Sequence, residues 1–378
     1  MARCCFLRDI GKVPITRPGV LRTRVFFCLP MATASAPWPR LLDRLLEGEQ
    51  LLPSDAAALM EAWLAEELTP VQTGAFLAAL RARGAQGGEL AAMAGVLRRA
   101  CPLPCARPEG LLVDTCGTGG DGADTFNIST AVAFTAAACG AVVAKHGNRS
   151  ASGRVGSADV LEGLGLRLQA EARQVVEALP AVGVTFLFAP AWHPALVNLA
   201  PLRRSLGVRT VFNLLGPLVN PLLPDGQVLG VARADLLDPM AEALQQLGQR
   251  RAVVVHGAGG LDEASLAGPN AVRIVEEGRI RAEILAPADF GLREAPLSAL
   301  KGGDLELNQA ILRELLQGRG SEAQRDVVAF NTALVLWVAG VEMDLRSGVD
   351  RAITALAEGR AWERLEQLRQ ALDPAEEE

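Results

Sequence analysis

Leu41, Leu42, Leu45 and Leu46 recur at the spacing of one helix face, and they open a stretch, 38–100, that reads as a run of short helices. Thr69-Pro70-Val71-Gln72 marks a helix start. Thr69 serves as N-cap, Pro70 takes the first helical position and Gln72 closes a capping box. Gly84 stands where a C-terminal glycine belongs, and 87–100 forms a further helix. Three prolines between Cys101 and Pro108 then make a linker. Beyond Pro108 the helical spacing gives way to short apolar runs that end in glycine-containing turns. These predict strands over 111–115, 141–144, 184–188, 228–231 and 252–256, and a hairpin of 272–275 with 280–284 around Glu276-Glu277-Gly278. Ser157 caps a helix closed by Gly165, and the last fifty residues are helical. Strands alternating with helices predict an α/β fold with a mostly parallel sheet, whose ligands sit at the carboxyl ends of the strands.

Two stretches, 125–144 and 178–202, carry no charge. Gly140 interrupts the first and four prolines the second, so both read as buried elements rather than membrane spans. The chain has 378 residues, 50% hydrophobic and 21% charged, enough for two domains with a sizeable core. Its net charge of −6 disfavours a general nucleic-acid-binding surface. Tyrosine is absent and histidine occurs three times, which removes tyrosine acid/base chemistry and histidine-rich metal sites. Seven cysteines without a repeated CxxC pair fit a reducing, cytoplasmic setting. Cys101 and Cys105 read as linker thiols rather than half a zinc site. Residues 1–30 carry six cations against Asp9, a net +5 that leaves −11 for the remainder. That leader has the charge of a transit peptide but lacks serine and an apolar signal core. Met31 opens a better-behaved sequence, so 1–30 is left unassigned, either a disordered extension or a start-site artefact.

Four clusters could carry chemistry. Gly117-Thr118-Gly119-Gly120-Asp121-Gly122 follows a strand without matching a dinucleotide or P-loop spacing. Its glycines would let backbone N–H groups approach an anion, and Asn127-Ile128-Ser129-Thr130 opens an apolar helix whose free N–H groups favour phosphate. The bland alternative is a tight turn and an ordinary cap. Lys145-His146-Gly147-Asn148-Arg149-Ser150 offers two cations, an amide and a hydroxyl, or else a solvated basic turn. His146 is either a general base or a structural imidazole. Asp262-Glu263 suits Mg²⁺, or caps a following helix. Arg203-Arg204-Ser205-Leu206-Gly207-Val208-Arg209-Thr210 supplies guanidinium groups for a carboxylate. Asn213 through Pro221 is an apolar, turn-rich segment, and His193 lies ten residues before Arg203.

In this order the motifs closely resemble the anthranilate phosphoribosyltransferase family. The resemblance runs from about residue 39 to about 370 and includes Gly156 to Glu162 and Ala189-Pro190. Gly153 and Arg154 stand where many relatives carry Ser and Lys. The resemblance implies a small N-terminal helical domain, 31–105, joined by part of 196–220. It implies a larger α/β domain, 106–378, with a mostly parallel sheet of the nucleoside phosphorylase/phosphoribosyltransferase type. It implies Mg²⁺-dependent transfer of the phosphoribosyl group of 5-phosphoribosyl 1-pyrophosphate to the amine of anthranilate, in tryptophan biosynthesis. For phosphoribosyl pyrophosphate it implies Gly117, Gly120, Asp121, Thr125, Asn127, Ile128, Ser129, Thr130, Lys145, His146, Gly147, Asn148, Arg149, Ser150, Ala151, Ser152, Gly153 and Ser157. For anthranilate it implies Gly117, Asn148, His193 and Arg203, with Gly216-Pro217 near its path, and for the metal Ser129, Asp262 and Glu263. No single essential base is expected; Lys145 and Arg203 supply charge. A homodimer through the small domains, and association with anthranilate synthase subunits, are the implied partnerships. A pyrimidine nucleoside phosphorylase-like enzyme and a non-catalytic nucleic-acid-binding relative are the rival readings. Ordinary type I phosphoribosyltransferases are excluded, because Glu276-Glu277 precedes Gly-Arg-Ile-Arg and not a Thr-rich phosphate loop.

Overall fold

A computed structural model of the chain describes residues 38–150 and 155–373. The leader 1–30, the loop positions Ala151, Ser152, Gly153 and Arg154, and the acidic C-terminal end lie outside the described residues. Four helices, Trp38–Leu46, Pro53–Leu64, Pro70–Arg83 and Gly87–Arg99, form the N-terminal part. The third begins as the sequence predicts. The Gln72 N–H donates to Thr69 Oγ1 at 3.3 Å and the Thr69 N–H donates to Gln72 Oε1 at 3.0 Å.

The rest is built on one seven-stranded sheet. Its strands are β1 (Leu112–Gly117), β2 (Val142–Gly147), β3 (Val184–Phe188), β4 (Gly226–Gly230), β5 (Arg251–His256), β6 (Asn270–Glu276) and β7 (Arg279–Leu285). They lie in the order β3-β2-β1-β4-β5-β6-β7, with β1 to β5 parallel and the β6–β7 hairpin antiparallel. Glu277 and Gly278 turn that hairpin with φ of 50° and 70°, the left-handed pair that matches strand twist. From β1 the chain winds outward to β2 and β3, then returns to place β4 on the other side of β1. The crevice at the β1/β4 carboxyl ends is therefore a topological switch point.

Both sheet faces are covered. Val228, Val253 and Val255 point into a core with the helices Ile128–Ala138 and Glu322–Val338. The alternate residues Leu229, Ala252 and Val254 point into a second core, which they share with the four N-terminal helices and the helix Leu237–Gln246. Val211, Phe212, Leu215, Leu218 and Val219 belong to that second core, so the 211–219 segment packs with the helical part although it lies between β3 and β4 in sequence. The helix Ile128–Ala138 is buried at every position except Ser129, the sign of a central helix.

Two details differ from the sequence reading. β2 runs on through Lys145, His146 and Gly147, which pair with Phe186, Leu187 and Phe188 of β3. The basic cluster thus begins inside the sheet, with Lys145 and His146 buried. Ser157 is the first residue of the helix Ser157–Gly163 rather than its cap. Gly156 takes the cap position, and its N–H donates to Asp159 Oδ2 at 2.8 Å.

The carboxyl end of β2 is held by a buried polar network. β1 and β2 pair in register at Leu112 with Val142 and Val113 with Val143. Beyond that, the His146 N–H donates to Asp114 Oδ1 at 3.2 Å. Asn220 Nδ2 donates to Asp114 Oδ2 at 2.9 Å and to the Ala144 carbonyl at 2.7 Å, while Asn220 Oδ1 accepts the Leu222 N–H at 3.0 Å. Both side chains are buried, and burial pushes the Asp114 carboxyl up to about 6. Removing the amide leaves a buried carboxylate short of a donor. Asn220→Ala is expected to cost about 2–3 kcal/mol in chemical denaturation with an unchanged m-value; a loss under about 0.5 kcal/mol would show the network to be dispensable.

Candidate active site

The glycine loop that follows β1 is shaped by what lies against it. A side chain on Gly117 would place its Cβ 2.1 Å from Asp262 Oδ2. At Gly120, φ is +81° and a Cβ would fall 2.0 Å from Arg209 Nη1. The first position therefore excludes a side chain by close approach, and the second by approach and backbone conformation together. The Gly119 N–H donates to Asp262 Oδ2 at 2.6 Å. Arg209 Nη2 donates to the Thr118 carbonyl at 2.5 Å, and the Thr118 N–H donates to the Gly230 carbonyl at 2.9 Å. The β1 loop, the loop after β5 and the end of the helix Ala200–Leu206 are thereby fastened into one rim.

That rim borders a cavity of about 620 Å³. One side is polar. Gly117 to Gly120, Thr125, Asn127 to Ser129, Lys145 to Ser150 and Ser157 line it, with Asp262 and Glu263. Lys145 Nζ donates to the Thr115 carbonyl at 2.7 Å and to Ser129 Oγ at 3.2 Å. Thr130 Oγ1 donates to Ser157 Oγ at 2.9 Å, which ties the helix start at 128 to the helix start at 157. Asn127 Nδ2 donates to the Val155 carbonyl at 3.0 Å and leaves its buried Oδ1 without a partner. Arg149 borders the cavity, but its guanidinium is bonded to Asp159 at 2.6 Å and Glu162 at 2.8 Å.

Three carboxylates meet here. Asp121, Asp262 and Glu263 each bring an oxygen to within 4.8 Å of the other two. Burial, and then the charge of Asp121, push Asp262 up to about 6. Burial and the charges of Asp262 and Asp121 push Glu263 well above the usual carboxylate range. Glu263 Oε2 is buried without a hydrogen-bond partner. No helix follows the pair, so the capping alternative has no helix to cap. The donor set, hard oxygens crowded at one point with one left unsatisfied, fits a divalent cation.

The opposite side of the cavity is largely apolar. Pro190, Leu196, Val197, Ala200, Phe212, Leu215 and Pro217 line it, with His193 and Arg203. Both histidines stand over the 216–219 turn. His146 Nδ1 lies 3.2 Å from the Gly216 carbonyl and His193 Nε2 lies 2.9 Å from the Val219 carbonyl. A carbonyl only accepts, so each of those nitrogens carries the proton. The rings meet edge to face at 5.3 Å. Burial pulls the His146 ring down to about 3 and lowers His193 as well, so both are neutral near pH 7. Arg203 is half-buried, and its guanidinium carbon lies 5.3 Å over the Phe212 ring.

Every sequence-derived site candidate among the described residues therefore borders this cavity or touches its wall, Asp121 with an oxygen within 4.8 Å of Asp262 and Glu263 and Thr130 through its bond to Ser157. Ala151, Ser152 and Gly153 lie outside the described residues. The structure groups Asp121 with the acidic pair rather than with the glycines of the β1 loop alone. Sequence reasoning does not single out Arg209 or Phe212, since nothing local distinguishes Arg209 from its neighbouring arginines or Phe212 from an ordinary core residue. Asp114 and Asn220 give no local signal, being 106 positions apart. His256 lies elsewhere, with Nδ1 2.8 Å from the Val231 carbonyl. Cys101 is a free thiol 2.9 Å from the Trp192 carbonyl, in keeping with a linker role. No helix among the described residues is long and apolar enough to cross a membrane.

Comparison with known proteins agrees with this architecture. Residues 39–101 match the profile described as the glycosyl transferase family helical bundle domain, and 109–362 match the a/b domain of the same family. The anthranilate phosphoribosyltransferase of Synechococcus sp. (strain WH7803) is 74% identical over 348 residues, 92% of this chain and 100% of that protein. That of Synechococcus sp. (strain CC9311) is 73% identical with the same coverage. The crystal structure of anthranilate phosphoribosyltransferase from Thermus thermophilus superposes with a TM-score of 0.83 at 45% identity, covering 88% of this chain and 99% of that one. The Saccharomyces cerevisiae enzyme in complex with PRPP and Mg gives 0.80 at 26% identity, covering 90% and 98%. The chain belongs to the anthranilate phosphoribosyltransferase family.

Proposed function

We propose that the polar side of the cavity binds 5-phosphoribosyl 1-pyrophosphate, that the apolar side binds anthranilate, and that Mg²⁺ sits at the acidic cluster between the strand ends. The family's reaction, transfer of a phosphoribosyl group by a pentosyltransferase, needs those three occupants in one place. The observation that carries this reading is the convergence of the segments at 117–129, 145–150, 155–157 and 262–263 on one cavity that Arg203 also lines. The yeast relative is described in complex with PRPP and Mg, and also with 4-fluoroanthranilate, which supports the same assignment here.

Gly117, Gly120, Thr125 and the helix start at Asn127 to Thr130, where the Ile128 and Thr130 N–H groups are already bonded to the Phe126 and Asn127 carbonyls, receive phosphate oxygens, with Lys145, His146, Gly147, Asn148, Arg149, Ser150 and Ser157 closing the cradle. Ala151, Ser152 and Gly153 continue it in the resemblance. Arg149 acts through the loop, because its guanidinium is already engaged by Asp159 and Glu162. Asp262, Glu263 and Ser129 hold the metal, and Asp121 shares their cluster. When bound, Mg²⁺ supplies charge neutralisation for the departing pyrophosphate. Asn148, His193 and Arg203 orient anthranilate beside Gly117, with Arg203 matching its carboxylate as a planar fork.

Anthranilate is an aryl amine, neutral at pH 7, so attack on the ribosyl carbon does not wait for deprotonation. The developing positive charge on the sugar and the negative charge on the leaving group are what the site stabilises. Lys145, buried with only the Thr115 carbonyl and Ser129 hydroxyl to donate to, presents its positive charge to the leaving group. Both histidines use a ring N–H on the 216–219 turn, a positioning role. The division that goes with this reading is a small domain, 31–105 with part of 196–220, and a domain 106–378; among the described residues the cavity is lined from Cys116 onward, with 189–219 as its apolar wall. The shared core of 211–219 with the N-terminal helices supports that division. A homodimer through the helical domain is supported by exposed Leu46, Leu52 and Val71 on its surface. Association with anthranilate synthase subunits is the further partnership that the family resemblance implies.

Incubated with Mg²⁺, phosphoribosyl pyrophosphate and anthranilate, the purified chain is expected to consume anthranilate, read as loss of its fluorescence. No loss at any metal concentration would end this reading. Asp262→Asn/Glu263→Gln should lower the rate about tenfold or more at limiting Mg²⁺; equal rates at limiting metal would remove the metal assignment.

The acidic cluster also sets a stability signature. Asp262 is raised from 3.8 to about 6 in the folded chain. Its contribution is thus fully present below 3.8 and is lost as pH rises through about 6. In chelator, thermal scans should show wild type losing stability relative to Asp262→Asn between about pH 4 and about pH 6.5. Saturating Mg²⁺ should recover wild type more than the variant. A pH-independent difference would contradict the crowding.

A further inference from the structure

Arg203 is held without a counter-charge. Among the described residues it forms no ion pair, and burial alone lowers its pKa. Its helix, Ala200–Leu206, has no buried residue and offers little packing to fix a long side chain. What lies under the guanidinium is the ring of Phe212, 5.3 Å from the guanidinium carbon. Phe212 is 5% exposed and is itself backed by Trp63, with ring centroids 5.4 Å apart and planes at 50°. Trp63 belongs to the helix Pro53–Leu64 and is 2% exposed. Arg203, Phe212 and Trp63 therefore form a stack that runs from the cavity into the core of the helical part.

We propose that Phe212 is a positioning residue for the aryl-carboxylate substrate, its ring face holding the Arg203 guanidinium flat and turned to the cavity, with Trp63 as its backing. This deepens the reading above and rests on Arg203 meeting the substrate carboxylate. A guanidinium over an aromatic face keeps its N–H edge free, because the attraction uses the π-face and not the donors. An acidic partner would occupy those donors and compete with the substrate. The ring thus supplies restraint without competition, in a partly dry wall where cation–π attraction is strongest. The stack also makes the acceptor side of the cavity depend on a tryptophan of the helical part, whereas the phosphate side is built from the sheet.

Steady-state kinetics of Phe212→Leu and Phe212→Tyr, with both substrates varied, test this. Leucine keeps an apolar core residue but removes the π-face; tyrosine keeps the face. Phe212→Leu should raise the KM for anthranilate about tenfold while kcat and the KM for phosphoribosyl pyrophosphate change less than about twofold, and Phe212→Tyr should restore the anthranilate KM. In case leucine unfolds the chain, stepwise fluorination of the phenylalanine at 212 weakens the negative face at nearly constant shape. The anthranilate KM should then climb with each fluorine. Overturning results are a KM for anthranilate unchanged in both series, or both KM values rising together with kcat falling, as a merely structural role would give. Arg203→Ala separates the two failures. If it raises the anthranilate KM while the ring variants do not, only the role of Phe212 falls. If it leaves that KM unchanged, the anthranilate assignment falls with it.

Discussion

Asp121, Asp262 and Glu263 repel one another, and the folded chain has to hold them together. Burial and then the charge of Asp121 raise Asp262, and burial with the charges of Asp262 and Asp121 raises Glu263, all three having oxygens within 4.8 Å of one another. The surrounding architecture reads as the means of keeping them there. Asp262 is pinned by the Gly119 N–H and pressed against Gly117 and Gly230, where no Cβ fits. Arg209 reaches over the same loop to the Thr118 carbonyl. The parallel sheet brings β1, β4 and β5 to one edge, so loops more than a hundred residues apart in sequence converge at the switch point.

Opposite charge completes the balance. Lys145 is buried in β2 and Asp114 in β1, both fixed by the carbonyl and amide partners that the strand ends offer. Burial lowers Lys145 and raises Asp114, and each favours the charged form of the other. The proposed reaction draws on this fixed charge rather than on a mobile proton. The two histidines agree with that, since each commits a ring N–H to the 216–219 turn.

Much of this is legible in the sequence. The five parallel strands, the hairpin and the helix starts at Thr69 and Asn127 follow from apolar runs, glycines and caps, because those signals are local. The boundaries of β2 are not legible. Lys145 and His146 look like turn residues by type, and only pairing with β3 and their burial place them in the sheet. The fold class and the family follow from the order of the motifs. What stays hidden are relations between distant positions: Asp121 with Asp262, Asp114 with Asn220, Arg209 with Gly120. No spacing rule reports a contact made by a crossover. Phe212 is hidden for another reason, since an aromatic residue in an apolar run looks the same whether it fills a core or supports a guanidinium.

The division of the cavity between two cores has a mechanical consequence. The phosphate side hangs on the sheet and the helix Ile128–Ala138. The acceptor side hangs on 211–219, whose buried residues belong to the core of the N-terminal helices. Asn198 reaches across to Glu66 of that helical part at 2.7 Å, and the partly buried Arg98 donates to the Leu218 carbonyl at 2.8 Å. The acceptor wall is therefore carried by the helical part even though its residues come from the middle of the α/β sequence. The contacts that join this wall to the helical part, made by Arg98, Glu66 and Trp63, lie outside the loops at the strand ends that line the polar side of the cavity.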